Sequence, residues 1–121
     1  MSYFPQPKRG QRARRLRLGG SIVVAIRAGG SRSARATLRE LSVTGGLLLL
    51  PKALKRGDFV ELAFSTSKGT IRGMVELLTA RPKSISESLQ PFRFIALADE
   101  DHNRLRMIVE LHSAYRCERP F

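Results

Sequence analysis

Two neighbouring segments, residues 58–65 (DFVELAFS) and 70–78 (TIRGMVELL), alternate apolar and polar side chains along most of their length. Successive side chains of a β-strand point to opposite faces, so each segment is predicted to be a strand with one buried face. Residues 67–69 between them predict a tight reversal and hence an antiparallel hairpin. The predicted core positions of this hairpin are Val60, Leu62, Phe64, Ile71, Val75 and Leu77.

Further short apolar segments predict strands over residues 21–28, 34–41, 47–50 and 91–98, the last with Phe94 in the core. They are separated by glycine- and proline-containing turns, and residues 81–91, around two prolines, are predicted to be a loop. About six short strands in succession predict a small antiparallel barrel or sandwich.

The pattern changes to a helical one near the C-terminus. Leu105, Ile108, Val109 and His112 recur at the spacing of one helix face. Three acidic residues precede this stripe, where the helix dipole favours negative charge. The sequence therefore predicts one helix, over residues 100–115, packed on the barrel.

The net charge of +12 is concentrated at the N-terminus. Residues 1–39 contain ten of the 22 Lys and Arg residues and no acidic residue, whereas the rest of the chain has a net charge of only +2. We therefore predict three parts: a basic arm over residues 1–19, a barrel domain with its helix over 20–116, and a tail over 117–121.

Seventeen of the 22 cationic residues are arginines, and six of the ten residues from Lys8 to Arg17 are basic. The arginine fork binds phosphate with two parallel hydrogen bonds and stacks on bases. The arm therefore predicts an anionic partner, which is a nucleotide, a nucleic acid or an acidic surface. The alternative is that the arm is a solvated basic tail that keeps the protein soluble.

Three features predict a cytoplasmic protein. The single cysteine, Cys117, cannot form an internal disulfide, which fits a reducing compartment. No apolar segment approaches the ~20 residues that a membrane span needs. The N-terminus lacks the apolar segment of a secretory signal.

The residues that most enzymes need are missing from the sequence. The two histidines, His102 and His112, lie ten residues apart on one predicted helix, about 280° around its axis, and so cannot share a metal. No nucleophile–histidine–acid set, paired carboxylates or phosphate-binding loop can be assembled. We therefore predict a non-catalytic protein without a metal or cofactor.

The segment RELSVTGG contains Glu40-x-Ser42-x-x-Gly45, followed by Gly46 and an apolar strand. A carboxylate and a hydroxyl offer acceptor and donor sites to the edge of a base. Glycine lacks a Cβ and can adopt a positive φ, so a ligand or a turn can approach closely. The alternative is a plain strand-connecting turn.

The basic arm and this motif, in this order, resemble the PilZ domain. That family has an Arg-x-x-x-Arg motif before its first strand and an Asp/Asn-x-Ser-x-x-Gly motif one strand pair later. The resemblance continues through PKALKRGDFVELAF and the closing strand and helix of SLQPFRFIALADEDHNRLRMIVELH. It covers about residues 12–112.

The resemblance implies a six-stranded antiparallel β-barrel, with the helix packed on it, that binds the bacterial second messenger cyclic di-GMP. The family arginines grip phosphate and guanine, and the acidic or amide residue and the serine reach guanine and backbone groups. The positions of this chain that match are Arg12, Arg14, Arg17, Glu40, Ser42, Gly45 and Gly46. A separate protein effector is the expected downstream partner.

The motifs depart from the family pattern at two places. If Arg17 aligns with the second family arginine, Ala13 occupies the first slot, flanked by Arg12 and Arg14. Arg35 and Arg39 have the literal spacing but lie in a predicted strand, so their spacing is interpreted as a coincidence. The acidic position is Glu40, one methylene longer than Asp.

Two alternative functions stay open. Members of the family with altered motifs that do not bind the dinucleotide act as protein-interaction modules, and this chain is a candidate for that group. A small basic barrel that binds nucleic acid is less favoured, because Tyr3 and Phe4 are the only aromatic residues in the basic third of the sequence.

Overall fold

The protein is described here by a computed structural model. It describes residues 16–18, 22–29 and 32–117, with side chains as far as Leu111, so most of the predicted arm and tail lie outside the described residues. Within these ranges the elements are β1 (Leu16–Arg17), β2 (Val23–Arg27), β3 (Ser33–Leu41), β4 (Gly45–Leu50), β5 (Phe59–Thr66), β6 (Gly69–Leu77), β7 (Arg81–Ser84), β8 (Glu87–Leu97) and α1 (Asp99–Cys117).

Six strands form a closed antiparallel barrel. The hydrogen-bonded order is β3-β2-β5-β6-β8-β4, and pairing of β4 with β3 closes the ring. Closure leaves no open edge in the ring itself. The prediction of a mostly β chain with a six-stranded barrel is therefore confirmed.

The predicted core is also confirmed. All seven predicted positions are at most 5% exposed, and the alternating patterns of β5 and β6 place them inside the barrel. Burying such side chains contributes about 1.5–3 kcal/mol each relative to leaving them exposed. They are Val60, Leu62, Phe64, Ile71, Val75, Leu77 and Phe94.

The C-terminal helix packs on the barrel as predicted. Leu105, Ile108 and Val109 join the core cluster, and α1 contacts β6, β1 and β8. The carboxylate of Asp101 accepts a hydrogen bond from the Arg72 backbone N–H at 3.0 Å, which joins the first turn of α1 to β6. The side chain of His112 lies outside the described residues.

The predicted loop over residues 81–91 is wrong. Residues 81–84 form β7, and β8 already begins at Glu87. Pro82 is tolerated because β7 pairs only with β8 and is an edge strand. Pro91 lies just past the last β6–β8 pair, Leu77 with Phe92, so its missing N–H interrupts no pair of that ladder.

Candidate functional site

Strand β1 brings the end of the basic arm to the Glu40-x-Ser42-x-x-Gly45 segment. Leu16 pairs with Leu41 and Arg17 with Glu40, and the Leu18 N–H donates to the Arg39 carbonyl at 2.8 Å. Arg17 was predicted to lie on the arm, but the structure places it in the sheet beside β3. It also places Arg17 and Glu40, 23 positions apart in the sequence, next to each other.

A cross-strand row continues from this pair across the outer barrel surface. Glu40 pairs with Leu47 of β4, and Leu47 pairs with Pro91 of β8. Leu47 is only 5% exposed, although it does not belong to the core cluster inside the barrel. Leu47 is therefore covered and offers little surface to a ligand, whereas Pro91 beside it is partly exposed. We call this row, from Arg17 through Glu40 and Leu47 to Pro91, the outer row.

The Ser42 hydroxyl organises the turn between β3 and β4. It accepts hydrogen bonds from the Thr44 and Gly45 N–H groups at 3.2 and 3.1 Å, and donates to the Gly45 carbonyl at 3.2 Å. The Thr44 hydroxyl lies 3.1 Å from the Ser42 hydroxyl oxygen, and either hydroxyl can donate, so the hydrogen-bonding capacity of Ser42 is taken up within the turn. Ser42 is also 4% exposed. Its side chain holds the turn closed. Contact of the hydroxyl with a guanine base stays a prediction.

Gly45 and Gly46 are required by strand packing. Neither has a positive φ; in the described residues only Gly57 and Gly69 do. A Cβ on Gly45 would strike the Phe92 carbonyl oxygen and come within 2.9 Å of the Arg93 Cα. A Cβ on Gly46 would strike the Glu40 carbonyl oxygen and the Phe92 ring. Gly45 therefore permits a close approach, that of the β8 backbone, without using a positive φ, because β4 is a strand there and lies tightly between β3 and β8.

An ion pair lies beside the turn on its β8 side. Arg93 is opposite Gly45 in β4 and opposite Glu76 in β6. Its Nε donates to Glu76 Oε1 at 2.6 Å, and the Arg93 side chain is half exposed. The Phe94 N–H donates to the Thr44 carbonyl at 2.9 Å, which fixes the turn against β8.

Of the three predicted arginines, the structure describes only Arg17. Arg12 and Arg14 lie outside the described residues. Arg35 pairs with Ala25 of β2, five residues before Glu40 along β3. At ~3.3 Å per residue, Arg35 lies about 16 Å from Glu40 along the strand. This position agrees with the prediction that Arg35 is a strand residue outside the site.

Sequence reasoning missed Leu47, Pro91 and Arg93 as members of this face. Each lies on a strand other than β3, and only the strand register brings it beside Glu40 or Gly45. The one signal in the sequence was a single arginine inside the apolar segment PFRFIALA.

The part of the chain that the structure describes contains no group of three His, Cys, Asp or Glu side chains that could hold a metal ion. No helix among the described residues is long and apolar enough to cross a membrane.

The sequence matches no protein-family model and no curated protein. The fold is similar to solved PilZ domains. The PilZ domain of YcgR from Escherichia coli, solved with c-di-GMP, superposes with a TM-score of 0.74 at 18% identity, covering 90% of this chain and 95% of that chain. The Bacillus subtilis inhibitor of motility MotI superposes with a TM-score of 0.72 at 14% identity, covering 90% of this chain and 54% of that chain.

A third similar structure is PlzA from Borreliella burgdorferi in complex with c-di-GMP, with a TM-score of 0.61 at 14% identity, covering 91% of this chain and 55% of that chain. The chain spans about half the length of MotI, PlzA and a longer YcgR chain, of which it covers 49%. The expected PilZ-like fold is thus confirmed.

Proposed function

We propose that this protein is a PilZ-type receptor that binds cyclic di-GMP on the outer barrel surface between β1 and β8, without catalysing a reaction. The ligand site comprises Arg12, Arg14, Arg17, Glu40, Ser42, Gly45 and Gly46. Binding would be passed to a separate protein effector in the cytoplasm.

The observation that carries this proposal is the β1–β3 pairing. It places Arg17 directly opposite Glu40, and Glu40 lies two residues before the Ser42 turn. The basic arm therefore joins the sheet next to Glu40, the first residue of the motif. A ligand held between the arm and the barrel requires this arrangement. Fold similarity to domains solved with c-di-GMP supports the choice of ligand.

Each residue type has a distinct role in the proposal. The arginines bind phosphate and stack on guanine. The Glu40 carboxylate accepts hydrogen bonds from a guanine edge. Ser42, whose hydroxyl is used within the turn, positions the backbone groups of that turn. Gly45 and Gly46 hold β4 against its neighbours and keep two side-chain positions empty.

Titration calorimetry tests this proposal against nucleic-acid binding. Cyclic di-GMP should saturate the protein at a fixed stoichiometry. A single-stranded oligonucleotide, if the protein were a nucleic-acid-binding barrel, would bind more tightly as it lengthens and would lose affinity steeply with salt. Oligonucleotide binding of that kind, without heat from cyclic di-GMP, would contradict the proposal.

One observation favours the second candidate, a PilZ-like protein-interaction module that does not bind the dinucleotide. Arg17 already faces an acidic cross-strand neighbour, and neither Arg17 nor Glu40 is without a partner. A ligand must compete with these existing interactions. With Ala13 in the first arginine slot, the family motif also has one guanidinium fewer at its usual spacing.

A further inference from the structure

Arg93 borders the candidate face on the side opposite Arg17. The outer row runs from Arg17 to Pro91, and Arg93 lies two residues beyond Pro91 on β8. Three strand spacings of ~4.8 Å separate β1 from β8, or about 14 Å along the barrel surface. A ligand that spans the outer row therefore has one arginine at each end.

The neighbours of Arg93 leave it open toward the turn. On the β4 side it faces Gly45, which has no side chain to stand between Arg93 and the Ser42 turn. On the β6 side its Nε is held by Glu76 at 2.6 Å. A guanidinium has five N–H donors, and one bond at Nε leaves the terminal nitrogens for a second acceptor. The Arg93 side chain is 50% exposed, so an anion can reach it.

We infer that Arg93 contacts the dinucleotide in the proposed site and that Glu76 is the residue that positions it. This inference rests on the proposed function. Arg93, which lies on strand β8, supplies the positive charge that the arm motif lacks at Ala13. An arginine fixed in the barrel requires no ordering of a long chain segment before it contacts a phosphate or a base.

The structural alternative is an ion pair that only joins β6 to β8. Cross-strand pairs at this exposure contribute little to stability. The two roles therefore differ in the affinity: losing a purely structural pair leaves the affinity for cyclic di-GMP unchanged, whereas losing a ligand contact lowers it at nearly constant stability.

The test is the affinity for cyclic di-GMP of five variants beside the parent. Arg93→Ala should weaken binding about 10- to 150-fold, the effect of losing a hydrogen bond to a charged group. Arg93→Lys should recover only part, because lysine lacks the planar fork. Arg72→Ala is the matched control, since Arg72 is exposed on β6 and faces Ala63, away from the turn; its affinity should equal that of the parent.

Glu76→Gln tests the positioning role. It should weaken binding in the parent but have no further effect in the Arg93→Ala background, because Glu76 acts through Arg93. An equal effect of Glu76→Gln in both backgrounds would overturn the positioning role.

The outcomes separate this inference from the proposed function. If the parent binds and Arg93→Ala binds as tightly as Arg72→Ala, the role of Arg93 is overturned and the proposed function stands. If the parent does not bind but the Ala13→Arg, Glu40→Asp double variant does, Arg93→Ala and Arg72→Ala are made in that double variant. A loss of affinity for Arg93→Ala alone then supports the role of Arg93, and equal affinities overturn it. If neither binds, both are overturned.

Discussion

The side-chain amide of Gln90 pairs with the backbone of Leu54 in both directions. The Leu54 N–H donates to Gln90 Oε1 at 2.7 Å, and Gln90 Nε2 donates to the Leu54 carbonyl at 2.9 Å and to the Leu78 carbonyl at 3.0 Å. Gln90 is fully buried on β8. It therefore fixes the segment between β4 and β5 to the barrel wall.

Replacing Gln90 by Leu should destabilise the fold. The substitution removes the partner of three part-buried backbone groups, and each group left without a partner costs up to roughly 1–3 kcal/mol. Chemical denaturation should show a lower midpoint with an unchanged slope. Ser65→Ala, on the exposed surface of β5, is the control and should stay within about 0.5 kcal/mol of the parent. A Gln90→Leu variant as stable as this control would contradict the role of the amide.

Gly45→Ala should destabilise the protein by roughly 1–3 kcal/mol, the usual range for overpacking. Its new Cβ would meet the backbone of β8, which cannot move without disturbing the barrel. Gly29→Ala is the matched control, because a Cβ there meets nothing within 4 Å and its φ is not positive. Equal unfolding free energies for the two variants would show that β4 does not need a glycine at position 45.

Ser42→Ala should lower both stability and affinity. The Thr44 and Gly45 N–H groups lose their shared acceptor, and the expected cost is roughly 1–3 kcal/mol. Because Ser42 acts through the turn, binding of cyclic di-GMP should weaken less than in Arg17→Ala. Ser67→Ala, in the exposed β5–β6 turn, serves as the control. A Ser42→Ala variant of parental stability would show that the hydroxyl is not needed for the turn.

Alternation and helical spacing were enough to predict most of the fold. The repeating patterns in β5, β6 and α1 come from burial of one face, and burial is a property that the local sequence encodes. β7 has no such pattern, since all four of its residues are exposed and one is Pro82. It exists because it pairs with β8 across the turn at residues 85–86, and pairing of a fully exposed segment leaves no alternating apolar pattern in the sequence.

Strand pairing also limited how much of the candidate site could be predicted from the sequence. Glu40 and Ser42 were found because they are close in sequence, but the role of Ser42 within the turn required its hydrogen bonds to be known. Leu47 and Arg93 join the face only through the register of β4 with β3 and β8. The two-residue strand β1 is held by partners more than twenty positions away, so its pairing could not be predicted from residues 16–17 themselves.

Arg17→Ala should weaken binding of cyclic di-GMP about 10- to 150-fold, because it removes a charge-assisted contact worth roughly 1.5–3 kcal/mol. Arg35→Ala is the matched control: it removes the same side chain from β3 at a position opposite Ala25, outside the candidate face. Affinities from titration calorimetry should fall only for Arg17→Ala. Equal losses for both variants would indicate a general effect of positive charge.

The most direct measurement is a calorimetric titration of the parent and of the Ala13→Arg, Glu40→Asp double variant with cyclic di-GMP. The altered motif predicts that the parent binds with one fixed stoichiometry and that the double variant binds more tightly. Heat from the double variant alone would place the natural protein with the partner-binding modules. Absence of heat and of chemical-shift changes in both would contradict the proposal that this barrel is built to receive the dinucleotide.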